Sequence, residues 1–166
     1  MKKINFLIKA GKHYANNFFR HRLIFSRSIE FEFKLSYSAY YDYKNVINGW
    51  SKVLGLSEGN HHRNSMRLAF INNSAGLQAG AYCYSKGKRQ MITLPKIATG
   101  LWYKVKITRD YSCWIIEFTD HYSQLTEIHT VTAPERKRIP FLFVLHPYVG
   151  GRFTLNQDLK IDVQLK

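Results

Sequence analysis

Apolar and polar residues alternate with a period of two along much of this chain, the repeat of a strand that lays one face on a core. The cleanest run is 29–37, where Ile29, Phe31, Phe33, Leu35 and Tyr37 alternate with Glu30, Glu32, Lys34 and Ser36. Further strands are expected at 3–9, 90–94, 101–109, 111–119, 125–131, 141–145 and 159–165, separated by residues that favour turns. Segment 11–17 reads as loop, 18–27 as a bend, and the proline-bounded 134–140 as a charged connection. The stretch 38–59 lacks a clear period. A short helical turn around 43–53 is tolerated there, but Asn48-Gly49 and Gly55 oppose a long helix.

Between Ser57 and Arg89 the pattern predicts a polar loop carrying His61, His62 and Arg63, followed by a β-hairpin. Strands 65–71 and 77–85 are expected to pair antiparallel with Arg67 opposite Tyr82. Met66, Leu68, Phe70, Leu77, Ala79, Ala81 and Cys83 then share a core face, while Ser65, Arg67, Gln78, Tyr82 and Tyr84 share the other. Trp102, Lys104 and Lys106 join this second face if their strand lies in the same sheet with that parity outward.

About ten short strands with almost no helix predict an all-β, single-domain, antiparallel two-sheet sandwich over 1–166, with 1–27 as an N-terminal strand plus loop packed on it. At 166 residues the chain suits one core. No apolar run is long enough for a transmembrane helix. The N-terminal apolar patch is broken by Asn5 and Lys9, too short for the apolar region of a signal peptide, which reads as a cytoplasmic product. Cys83 and Cys113 have neither zinc-site nor disulfide-framework spacing and are expected to be free thiols.

Charge changes the picture most. The net charge is +14, with seven Lys/Arg and no acid in 1–27 and nine Lys/Arg and no acid in 59–109. Such a field favours a polyanionic partner: an acidic polysaccharide, a nucleic acid or an anionic surface.

The runs L-W-Y-K-V-K-I-T-R-D-Y-S-C-W-I-I-E-F and D-L-K-I-D-V-Q-L are similar to the concanavalin A-like (lectin/glucanase) jelly roll. The combination G-N-H-H-R-N-S-M-R, A-Y-C-Y-S-K-G-K-R and H-P-Y-V-G-G resembles small bacterial jelly-roll proteins. The resemblance covers about 28–166 and implies a jelly-roll sandwich, without implying an activity.

The expected site is the outer face with Arg67, Gln78, Tyr82, Tyr84, Trp102, Lys104, Lys106 and the nearby His62. There aromatic faces stack on sugar rings, and Arg and Gln hold carboxylates or hydroxyls. The expected role is non-catalytic binding of an acidic glycan or other polyanion. The first alternative is a polysaccharide lyase. Lyases of this jelly roll carry an Arg strand, a Gln-Ile-His strand and a Tyr strand, and this chain offers Arg67, Tyr82 and Glu127-Ile128-His129 in a different order. The second alternative is single-stranded nucleic-acid binding through tyrosines beside cations. The residues nominate no catalytic centre, no cofactor and no metal set. The neighbouring His61 and His62 project in different directions and have no evident companion ligands.

Overall fold

The computed structural model describes residues 2–15, 21–41, 49–135, 141–150 and 154–166. The possible helical turn falls partly on 42–48, and the charged connection on 136–140; those residues lie outside the described set.

Among the described residues thirteen strands and one 3₁₀ turn (Tyr37–Ala39) follow in order. They are β1 (Lys2–Ile8), β2 (His21–Ile24), β3 (Ser28–Leu35), β4 (Ser51–Ser57), β5 (Asn64–Asn73), β6 (Gly76–Ser85) and β7 (Lys88–Ile97). The remainder are β8 (Trp102–Arg109), β9 (Cys113–Asp120), β10 (Thr126–Thr132), β11 (Leu142–Leu145), β12 (Tyr148–Val149) and β13 (Leu159–Leu165). One six-stranded sheet has the order β1-β13-β3-β8-β9-β10; a seven-stranded sheet runs β2-β11-β4-β5-β6-β7, with β12 also paired to β4. All pairings are antiparallel.

The core lies between the sheets, as period-two patterning requires. Phe31, Phe33, Val105, Ile107, Trp114, Ile116, Ile161 and Val163 come from one sheet, and Leu56, Met66, Leu68, Phe70, Ala79 and Ala81 from the other. Burying a side chain of Leu or Phe size contributes roughly 1.5–3 kcal/mol, so this shared layer is the main source of stability.

The 65–85 hairpin forms as expected, with Arg67 opposite Tyr82. Two expectations need correction. The bend over 18–27 contains β2, which pairs with β11 at the sheet edge. The ambiguous 38–59 contains β4, a central strand between β11 and β5. Every residue of β4 is buried, so S-K-V-L-G-L-S shows no alternation and hides its type. The register of β4 against β5 shifts between Lys52 and Gly55, a bulge that re-aims the side chains around it.

Candidate functional site

On the outer face of the seven-stranded sheet lies a cavity of about 250 Å³ lined by Tyr14, Lys52, His61, His62, Ser65, Arg67, Tyr82, Tyr84 and Tyr148. Its floor comes from three adjacent strands. Arg67 on β5 sits between Gly55 on β4 and Tyr82 on β6. Ser65 and Tyr84 are the next outward pair along the hairpin.

Two glycines make room for the two cations. A Cβ at Gly55 would lie 2.6 Å from the Arg67 Cα and Cγ and 2.2 Å from the Met66 carbonyl oxygen. One at Gly150 would lie 2.1 Å from Lys52 Nζ. The close approach of backbone to charged side chain is therefore written into the sequence as missing side chains.

One wall is a strap. Tyr14 bridges to Tyr148, and the Val149 N–H donates to the His13 carbonyl at 2.8 Å. The Tyr14 and Tyr148 rings pack at 4.9 Å between centroids. Lys52 Nζ lies 4.3 Å from the Tyr82 ring centroid and 5.5 Å from that of Tyr148, in cation–π range of both.

The opposite rim is the 58–64 turn. The His62 N–H donates to Asn60 Oδ1 at 2.9 Å, and Ser65 Oγ donates to the His61 carbonyl at 2.6 Å. The His61 and His62 rings are 4.1 Å apart, and His62 meets Tyr84 edge-on at 5.5 Å. A buried network fixes this turn from beneath. Arg109 Nε donates to Glu58 Oε2 at 3.0 Å, Asn64 Nδ2 donates to the same oxygen at 2.8 Å, and Trp114 Nε1 donates to Asn64 Oδ1 at 2.7 Å.

The electrostatics are one-sided. Lys52 is only 7% exposed. Burial pulls its ammonium down to about 8, and the charges of Arg67 and Arg89 act in the same direction. Burial draws Arg67 down to about 10, partly offset by Tyr14, Tyr82, Tyr148 and Tyr84. Among the described residues no carboxylate forms an ion pair with either cation. Burial raises the Tyr84 and Tyr148 hydroxyls, and a hydrogen bond with Tyr82 adds to the effect at Tyr84, so both are protonated at neutral pH. The cavity thus presents two cations beneath a ring of hydroxyls.

Of the residues expected at a site, Arg67, Tyr82, Tyr84 and His62 come together in this cavity. Gln78 shares their outward parity but lies apart from them. Its amide donates to the carbonyls of Leu94 and Ala79 (3.2 Å to Ala79), at the register shift between β6 and β7. The Trp50 ring fills the space over Gly80, where a Cβ would lie 2.7 Å from it, between Gln78 and Tyr82 along β6.

Trp102, Lys104 and Lys106 do not share the face. Their strand, β8, lies in the six-stranded sheet. Lys104 pairs there with Glu30 at 3.0 Å, Lys106 with Glu117 at 3.2 Å, and Lys34 covers Trp102. His129, needed by the lyase arrangement, is on β10 of that same sheet, 3.2 Å from Glu127. Alternation correctly sorts in from out but carries no information on sheet membership. Lys52, Tyr14 and Tyr148 are the site residues that alternation missed. A lysine in an otherwise apolar run, flanked in space by Gly55 and Gly150, was the available signal. Among the described residues no group of three or more His, Cys, Asp or Glu side chains could hold a metal.

No protein-family model and no curated protein matches the chain. Several solved structures do. An alginate lyase from Klebsiella pneumoniae matches at 11% identity and TM-score 0.62, over 84% of this chain and 58% of its own. Another alginate lyase matches at 13% and TM-score 0.67, over 99% and 74%. A functionally unknown protein from Saccharomyces cerevisiae matches at 9% and TM-score 0.65, over 99% and 87%. At such identities the likeness is one of fold. Two packed antiparallel sheets in this arrangement have the fold of the concanavalin A-like jelly rolls.

Proposed function

We propose that the cavity binds an acidic glycan, with a carboxylate of the sugar seated between Lys52 and Arg67. The observation that carries this reading is the buried Lys52 beside the partly buried Arg67, neither with a carboxylate ion-pair partner among the described residues. Burying a charge costs several kcal/mol unless an opposite charge meets it, so a site that keeps two cations is arranged for an anion from outside. Arg67 offers a planar fork for the carboxylate and Lys52 a point charge. Tyr14, Tyr82, Tyr84, Tyr148 and Ser65 supply hydroxyls to the sugar's own hydroxyl groups. The fold it shares with two alginate lyases, proteins of acidic-polysaccharide chemistry, supports the same class of ligand.

Nucleic acid fits less well. Single strands are held by aromatic faces offered as successive platforms. Here Tyr82 and Tyr84 meet edge-on at 5.7 Å, and His62 stands edge-on to Tyr84. Isothermal titration with uronate oligosaccharides and with single-stranded DNA tests the choice. Micromolar uronate binding abolished by Lys52→Met supports the reading; DNA binding without uronate binding overturns it.

A second reading is a lyase, favoured by the Tyr82 hydroxyl and the His61–His62 pair beside Arg67 in one cavity. In β-elimination a base takes the proton α to the carboxylate, the cations hold the resulting enolate, and its electrons expel the glycosidic oxygen, which leaves protonated. An ultraviolet assay for the unsaturated product distinguishes turnover from binding. Product formation abolished by Tyr82→Phe, with affinity retained, establishes the lyase; binding without product establishes a non-catalytic receptor.

A further inference from the structure

Among the described residues the cavity has four flanks, of which one suits the continuation of a charged chain. On the β12 side, Tyr14 and Tyr148 form the strap. Further along β6, the Trp50 ring lies over Gly80. Towards β11 and β2 the neighbours level with Ser57 are apolar: Phe143 is opposite Ser57 on one side and half-exposed Leu23 on the other, with Phe141 packed on Phe143 at 5.8 Å. The fourth flank is basic.

That flank is the β6–β7 turn. Arg89 on β7 is paired with Tyr84, and the hydroxyl of Tyr82 beside it raises its guanidinium above its ordinary value. Lys86 and Lys88 follow in the exposed turn. The Gly87 N–H donates to the Arg63 carbonyl at 3.1 Å, which ties this turn to the His61–His62 turn and brings a fourth exposed cation alongside. None of the four forms an ion pair among the described residues.

Size completes the argument. A cavity of about 250 Å³ lies at the small end of ligand pockets, which run from about 300 to 1,000 Å³, and suits one sugar unit better than several. We infer that the cavity holds the terminal unit of an acidic polysaccharide, and that the chain leaves over the β6–β7 turn, where Arg89, Lys86, Lys88 and Arg63 meet the acidic groups of the following units. This rests on the glycan reading of the cavity and gives it a direction and a ligand length.

The test is a titration series of uronate oligomers, dimer to hexamer, at low salt. The wild type is expected to bind the hexamer about tenfold more tightly than the dimer, since exposed cations each add little but act together. The variant Lys86→Asn/Lys88→Gln is expected to reduce the hexamer's affinity towards the dimer's and to flatten its salt dependence. Asparagine is chosen because Lys86 has φ +51, which it tolerates. On a long polyuronate, one protein per chain is expected. Affinity independent of oligomer length, or a hexamer-to-dimer ratio unchanged in the double variant, overturns the exit path while leaving the cavity reading intact. Many proteins per polymer chain overturns terminal binding. Failure to bind uronates of any length overturns both.

Discussion

The outer faces of the two sheets handle positive charge in opposite ways. On the outer face of the six-stranded sheet three cations of the central strands each have a carboxylate on a neighbouring strand: Lys34 with Asp162 at 3.3 Å, Lys104 with Glu30 at 3.0 Å, Lys106 with Glu117 at 3.2 Å. That surface is a neutralised ladder, in which cross-strand pairs hold the sheet. On the seven-stranded sheet Lys52 is buried and Arg67 partly so, and among the described residues aromatic faces, hydroxyls and other cations act on them. The same contrast holds for two arginines beneath and within the site. Arg109 is fully buried but bonded to Glu58 and to the carbonyls of Asp110, Tyr111, Cys113 and Pro134. Arg67 has none of these partners, and the difference separates an arginine that builds the fold from one held ready for a ligand.

The largest effect expected from breaking this contrast is on the structural side. Glu58→Ala leaves the Arg109 guanidinium buried without its carboxylate and should cost about 3–5 kcal/mol in urea unfolding. A loss below about 1 kcal/mol would show that the Arg109 carbonyl partners suffice. Gly150→Ala comes next. Its Cβ would meet Lys52 Nζ at 2.1 Å and the Trp50 carbonyl oxygen at 2.8 Å. Overpacking of this kind costs about 1–3 kcal/mol and should displace Lys52, weakening uronate binding at least tenfold. Unchanged affinity would mean that Lys52 does not touch the ligand.

A smaller effect is set by pH. Burial holds the Lys52 ammonium down at about 8 in the folded chain, against its ordinary 10.5 in the unfolded one. Between those values the unfolded chain carries more protons, so stability rises with pH there. The cost of the buried ammonium is present in full below about 8 and relieved towards 10.5. Binding moves the other way: uronate affinity should fall as pH rises through 8, and binding near pH 8 should take up protons, seen as a buffer-dependent heat. The smallest effect is on the neutralised sheet. Lys104→Ala should change stability by less than about 1 kcal/mol and leave uronate affinity unaltered. A marked loss of binding would move the site to the opposite sheet.

Much of the fold was legible because β3, β5, β6, β8 and β9 each lay one face on the core and the other towards solvent. The hairpin was legible down to its register, since pairing Arg67 with Tyr82 is what aligns the two apolar sets. β4 was illegible for the converse reason. Buried on both faces and carrying Lys52 and Gly55, it matches no strand template. Lys52, the buried ammonium of the cavity, was lost with it. Tyr14 and Tyr148, which complete the wall, meet across most of the chain's length, a pairing that local pattern cannot report. Trp102, Lys104 and Lys106 were assigned to this face because parity fixes inward or outward and nothing more.

The account turns on Lys52 and Arg67 being held at a cost until an anion arrives. The most direct measurement is thermal unfolding of wild type and Lys52→Met at pH 7, each with and without a uronate oligomer. The account predicts that Lys52→Met melts higher than wild type without ligand, because a buried unpaired charge has been replaced by an apolar side chain of similar length. It also predicts that the oligomer raises the melting temperature of wild type and leaves the variant unmoved. A variant that melts lower than wild type and is still stabilised by the oligomer would contradict it.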